Sequence, residues 1–296
     1  MRIPSRDRSS SASDASRAPL DKGKCGPESA LLPMTFPLEG LVRASGLPLV
    51  ARSAADWVDL QYSQLIRDLN AVAPKTHGRL LDVGCGEKPY EPIFRPYVSE
   101  YVGVEYSPTF EGTQTSARPT KPDFFYDGKV LPFESRSFDS VISIQVLEHT
   151  PDPQSVVNEM GRVVKADGVV VVCVPFSFRL HEEPNDFFRF TPHGLRSMFD
   201  TAGLAVEEIW NQGDLWSVLG HKLNSYLAFR VARLDALAQM MGKLGHEETR
   251  TATPRFWTFP VVLPLMAMVS GGARVLDRIA PDGTETLNYL VVGHAK

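Results

Sequence analysis

The chain is poor in cysteine: three in 296 residues, at positions 25, 85 and 173, with no Cys-x-x-Cys pair. That usage excludes a disulfide framework and a cysteine-built zinc site, and it suits a reducing compartment. An excess of positive charge is also missing. Thirty-one Lys and Arg stand against 35 Asp and Glu, for a net charge of −4 and a pI near 6.0. A broad basic face for nucleic acid is therefore not expected. No apolar run of secretory-signal length appears in the first 30 residues, so the expected location is cytoplasmic. The longest charge-free stretch, Phe256 to Ala273, is broken by Pro260 and Pro264 and reads as a poor spanning helix. Internal repeats are absent as well.

What is present is an ordinary globular composition, 43% hydrophobic, with apolar residues in recognisable periods. Residues 1–30, rich in Ser, Arg, Asp and Ala, are expected to be a disordered tail. From Ala54 to Val72 a helical period places Trp57, Leu60, Leu65, Ile66 and Leu69 on one face, and Pro74 closes it. Short strands are predicted at Arg79–Val83, Tyr101–Glu105, Asp123–Asp127 and Phe138–Ile144. Asp152 and Pro153 start a helix with Val156, Val157, Met160, Val163 and Val164 inward and Gly168 as its stop. Val169–Val174 is apolar on both faces, as in the middle of a helix-covered sheet. A helix from Thr191 to Gly203 and strands at Leu204–Trp210 and Leu287–Val292 complete the pattern. The prediction is an α/β core over 31–210 with a doubly wound, Rossmann-like sheet, a helical insertion at 211–284, and a final core strand in 285–296.

Asp82-Val83-Gly84-Cys85-Gly86 joins a strand to a glycine turn. Such a turn lets backbone approach a ligand closely, and the following N–H groups can receive an anionic group. Pro89 stands where a dinucleotide fingerprint needs its third glycine, which disfavours NAD. Glu105 ends the second strand, about 20 residues on, where an acid can accept both hydrogens of a ribose diol. Asp127, followed by Gly128, ends the third and can accept from an adenine amino group. All of these fall on the carboxyl edge of the sheet, where one nucleoside could satisfy them together.

In order along the chain, Leu81–Gly86, Glu105, Asp127–Phe133, Ser137–Val141 and Val146–His149 resemble the class I S-adenosylmethionine-dependent methyltransferases, nearest the quinone-biosynthesis branch. The resemblance spans about residues 75–205. It implies a seven-stranded sheet with the last strand antiparallel and S-adenosylmethionine as cofactor. It also implies Asp82, Gly84, Cys85 and Gly86 around the methionine end, Glu105 on the ribose, Asp127 and Gly128 on the adenine, and Gln145 near the sulfonium. Some quinone O-methyltransferases carry Glu-x-x-Glu-His here and are associated with a divalent metal. This chain has Gln145 at the first position, and an amide is a weak ligand for a hard cation, so no metal is expected.

The acceptor side is predicted after the fourth and fifth strands, where Phe176 to Thr191 gathers His181, Asp186, Arg189 and five phenylalanines. His181 and His149 are the candidate bases. Arg189 with Asp186 either meets an anionic acceptor group or forms a salt bridge that pins the loop. Cys85 reads as a small filler rather than a nucleophile. The expected acceptor is a small molecule, sugar or lipid-linked intermediate, methylated on oxygen. An NAD-dependent oxidoreductase and a non-catalytic nucleoside-binding protein are the alternatives. For the insertion, a buried helical pair, a lid, a homodimer interface and peripheral membrane contact through Phe256–Met266 all stand open.

Overall fold

The computed structural model describes residues 57–107, 121–234 and 253–296. The tail expected at 1–30 lies outside them. Helix α1 (Leu60–Val72) starts where the Asp59 carboxylate accepts from the N–H groups of Gln61 and Tyr62. It leads through Pro74 into β1 (Arg79–Val83), the glycine turn and a short α2 (Glu91–Phe94). Then follow β2 (Glu100–Tyr106), β3 (Phe124–Tyr126) and β4 (Phe138–Ile144). Asp152 caps α3 (Pro153–Val163) through the Ser155 N–H, as its residue type predicts. β5 (Val164–Pro175), α4 (Pro192–Thr201) and β6 (Leu204–Gln212) come next.

The seven strands lie in the order β3-β2-β1-β4-β5-β7-β6, where β7 is Asn288–Ala295. β1 to β5 run parallel, and β7 is antiparallel to both β5 and β6. The reversal sets Asn288, the first residue of β7, beside Pro175 and Gln212 at the carboxyl ends of β5 and β6. Alternate β5 residues serve two cores. Val170, Val172 and Val174 pack with α3 and α4, while Val169, Val171 and Cys173 pack with α1 and α2. That division explains why the β5 sequence is apolar without alternation.

Two predicted boundaries move. α3 ends at Val163 rather than before Gly168, and β5 begins at Val164. Val164 pairs with Phe138, Lys165 binds Asp139, and Asp167 takes a left-handed φ of 61° before the register resumes at Val169. β-Branched neighbours at 163 and 164 favour this exit. Pro264, expected to break its apolar run, lies inside a single long helix. α5 (Leu215–Tyr226) continues as a π-helical turn over Leu227–Ala232, and α6 (Phe259–Ile279) returns antiparallel to it. Pro260 falls in the first turn, where its missing N–H has no helical partner to lose. Pro264 forfeits only one bond, to the carbonyl of Pro260. The pair packs tightly: a Cβ on Gly220 would stand 2.9 Å from Leu60 and 3.0 Å from Ala273. Asn224 donates to Ser270 at 2.8 Å, and Ser270 to the Val58 carbonyl at 2.7 Å.

Candidate active site

The cofactor side is built on the carboxyl ends of β1 and β2. Gly84 (φ 75°) and Gly86 (φ 50°) turn the chain out of β1 in the left-handed region. A Cβ on Gly84 would meet Val146 at 2.5 Å, so that position admits only glycine. Above Gly86 there is open space, with no heavy atom within 4 Å of a notional Cβ. Glu105 borders that space. Its Oε2 accepts from the Gly86 N–H at 2.6 Å and its Oε1 from the Tyr106 N–H at 2.9 Å. Burial nevertheless raises its pKa, against the lowering effect of these two bonds.

The other predicted cofactor residues divide. Asp82 is buried behind the turn, where it accepts from the Tyr101 hydroxyl at 2.6 Å; burial pushes it up to about 7. Cys85 packs against Gly103, and burial pushes its thiol far up, so it has no thiolate character. Asp127 is exposed and holds its own turn, accepting from the N–H groups of Lys129 and Val130, and these bonds lower its pKa. Gly128 (φ 80°) lies against the Tyr106 ring. Gln145 (φ 57°) turns its amide into a buried network. Its Oε1 accepts from Gln61 at 3.5 Å, its Nε2 donates to Cys173 at 3.4 Å, and Gln61 reaches Asn288, which donates to Gln212. Gln61, Asn288 and Gln212 carry no sequence signal of their own, since only the fold brings them together. Lys88 carries none either, bridging to Asp123 at 2.5 Å beneath the turn.

On the acceptor side the structure brings His149 and His181 together, with ring centroids 4.8 Å apart and edge to face. The loop after β5 does this. Its Phe187 and Phe188 N–H groups donate to the Glu148 carbonyl, laying it over the 3₁₀ turn Leu147–His149. Asp186 fixes the loop from within. It accepts the His181 N–H at 3.0 Å and takes two hydrogen bonds from Arg189, at 2.6 and 2.8 Å. Burial would raise its pKa, but Arg189 and His181 hold it below the ordinary carboxylate range. Asp186 and Arg189 thus pair with each other. Beyond the loop, Phe178 lies between His181 and His221 of α5, 5.0 Å from each ring. The sequence reading gave His221 no role, and the structure makes it part of the acceptor wall.

The recess is marked by polar atoms without partners. The Nε2 atoms of His149 and His181 and both carboxylate oxygens of Glu148 are buried and make no hydrogen bond. Glu182 closes the group, 3.7 Å from His149 Nε2. Burial pushes Glu148 up to about 8 and Glu182 up to about 8, the second also raised by the charges of Asp186 and Glu105. Burial lowers His149 and takes His181 down to about 4. At neutral pH both acids are mostly protonated and both imidazoles neutral. Gly84 packs on Val146, which leads directly into the Leu147–His149 turn, so this group neighbours the glycine turn. Glu148, His149 and His181 also have metal-ligand spacing, with ligand atoms within 4.8 Å of one another.

The seven-stranded sheet with its last strand antiparallel, the glycine turn after β1 and the acid at the end of β2 agree with what the sequence resemblance to the class I methyltransferases implies. Residues 81–172 match the family described as methyltransferase domain. An uncharacterized methyltransferase of Mycobacterium leprae (strain TN) is 36% identical over 102 residues, 34% of this chain and 38% of that protein. Another, from Mycobacterium sp. (strain JLS), is 36% identical over 111 residues, 36% and 44% of the two chains. The chain thus spans about two fifths of the length of the curated relatives it matches. Among solved structures, an S-adenosylmethionine-dependent methyltransferase from Mesorhizobium loti aligns with TM-score 0.46 and 14% identity, over 79% of this chain and 99% of that one. A SAM-dependent methyltransferase from Archaeoglobus fulgidus aligns with TM-score 0.42 and 13% identity, over 79% and 94%.

Proposed function

We propose that the whole protein is an S-adenosylmethionine-dependent methyltransferase that methylates a hydroxyl oxygen of a small-molecule, sugar or lipid-linked acceptor, with His181 as general base. The observation that carries this reading is the buried, unpartnered His181 Nε2, packed on His149 in the turn that follows Val146. The open space over Gly86, bounded by the Glu105 carboxylate, fits the nucleoside and methionine end of the cofactor. When bound, the cofactor supplies an electrophilic methyl carbon and a neutral thioether leaving group.

The remaining work belongs to the chain. His181 Nδ1 lies 3.1 Å from the Asp186 carboxylate and 3.1 Å from the Arg179 carbonyl. These two acceptors lie closer than the one donor near Nδ1, the Arg189 guanidinium at 3.5 Å, so Nδ1 carries the proton and Nε2 the lone pair. A hydroxyl placed at Nε2 gives up its proton as its oxygen bonds to carbon. Asp186, held ionised by Arg189, then stabilises the imidazolium. His149 is fixed in the same tautomer by the Asn185 carbonyl, 2.8 Å from its Nδ1, and a protonated Glu182 faces its Nε2. That leaves His181 as the free base. The protonated acids keep the recess neutral, which suits a hydroxyl acceptor.

Calorimetric titration with S-adenosylmethionine, S-adenosylhomocysteine and NAD tests the cofactor half. Micromolar binding of the two sulfur nucleosides with none for NAD is expected. Binding of NAD, or of none of the three, refutes it.

A further inference from the structure

We propose that the protein docks on an anionic lipid surface through the outer face of α6, lying in the plane of the interface. This stands independently of the methyltransferase reading. Residues Phe256–Ile279 form 24 residues of continuous helical structure, within which an 18-residue stretch has a mean hydropathy of 1.6 and is only 22% buried. The inner face is accounted for: Val262, Met266, Ser270 and Ala273 are covered by the α5 side. Among the described residues, the outer face has no such cover. Trp257, Val261, Pro264, Met268, Gly272, Val275 and Ile279 recur at helical steps of three and four and form one stripe free of polar side chains. Trp257 is 80% exposed, Val261 69%, Met268 67%, Val275 53% and Ile279 71%. A stripe of about 30 Å is far more contiguous apolar surface than the scattered residues normal for a protein face in water.

Charge selects the occupant. From 215 to 233 and from 255 to 279 the chain carries Lys222, Arg230, Arg233, Arg255, Arg274 and Arg278 against one acid, Asp277. That acid is engaged by the Ser217 N–H and hydroxyl. The whole chain is at −4, so the helix pair is a cationic island. A second copy would bring like charges together, whereas anionic headgroups complement them. A spanning arrangement would strip α6 from α5 and leave Ser270, Arg274 and Asp277 in hydrocarbon. The same pair walls the acceptor loop, with Arg179 over Phe229 at 4.4 Å and His221 beside Phe178, so docking sets the recess against the lipid surface.

Co-sedimentation of the full chain with vesicles tests this. Partition is expected into phosphatidylcholine vesicles containing phosphatidylglycerol, weakening in high salt, with little into phosphatidylcholine alone. Val261→Glu and Met268→Glu, both at exposed positions, are each expected to reduce partition about tenfold or more while melting temperature and S-adenosylmethionine binding stay unchanged. No partition into the anionic vesicles overturns the proposal, as does partition unaffected by both substitutions. A homodimer abolished by Val261→Glu in place of vesicle binding, or resistance to alkaline extraction from vesicles, assigns the stripe to another arrangement and overturns it equally. A chain that binds vesicles but no sulfur nucleoside refutes the function proposed above and leaves this one standing.

Discussion

Glu148 lends itself to a quantitative test. Its side chain is wholly buried, neither oxygen is hydrogen-bonded, and burial raises its pKa from 4.5 to about 8. In the unfolded chain the same group titrates near its ordinary value. Between those two pH values the folded protein keeps a proton that the unfolded chain has released. Stability present below pH 4.5 is therefore lost as pH rises toward 8, by about 1.4 kcal/mol per pH unit. His181 and His221, taken down by burial to about 4 and about 3, act in the opposite sense, but only below 6.5. The window from pH 6.5 to 8 therefore isolates the carboxyls. Across it Glu148 alone removes about 2 kcal/mol, Glu182 a similar amount and Asp82 less. Glu148→Gln keeps the shape and abolishes the titration. The variant is expected to lose about 2 kcal/mol less than the parent between the two pH values, measured by urea unfolding with chelator in every buffer. Parallel losses in parent and variant would refute the assignment of a neutral Glu148. A parent whose stability does not fall across this window would show the carboxylate ionised throughout.

Three further expectations follow from the site. Glu105→Ala removes the ribose acceptor and is expected to weaken S-adenosylmethionine binding about a hundredfold, roughly 2–3 kcal/mol; unchanged affinity by calorimetry would remove that assignment. Once an acceptor is in hand, His181→Gln should lower the methyl-transfer rate by about 10²–10⁴-fold while cofactor affinity holds, and a loss under tenfold would exclude it as the base. Arg189→Ala leaves the covered Asp186 carboxylate without its main partner. With Arg189 partly in solvent, the cost is expected to be about 1–3 kcal/mol. It should appear as faster proteolysis within residues 177–190, and an unchanged cleavage rate would deny the pair its pinning role.

Where a period or a turn carried the information, the sequence was readable. The strand into Gly84, the cap at Asp152 and the unalternating valines of β5 each have a local cause, and each element formed within a few residues of its prediction. The antiparallel last strand came only from the family resemblance, since nothing local in Leu287–Val292 sets its direction. Two misjudgements share a cause, because both weighed residue type over position. Gly168 reads as a helix stop by type, yet the chain has already left the helix at Val163. Pro264 was taken as a breaker although it sits near the helix start. The recess was half legible. His149 and His181 were recognisable, but their meeting depends on a loop folded back over Glu148. The burial of Glu148 and the joining of Gln61 to Asn288, 227 positions away, are tertiary facts without a sequence period.

β7 lies between β5 and β6 yet follows every other element in chain order. During vectorial synthesis, β1 to β4 and the glycine turn emerge first and have their sheet neighbours at once. β6 does not, because it borders only β7. Until Asn288 and its successors leave the ribosome, β5 and β6 each present an unsatisfied edge, and the Gln212 partner at that end of the sheet is missing. The two halves of the site therefore mature at different times. The strands around the glycine turn can pair on the nascent chain, whereas the Asn288 link between Gln61 and Gln212 waits for β7.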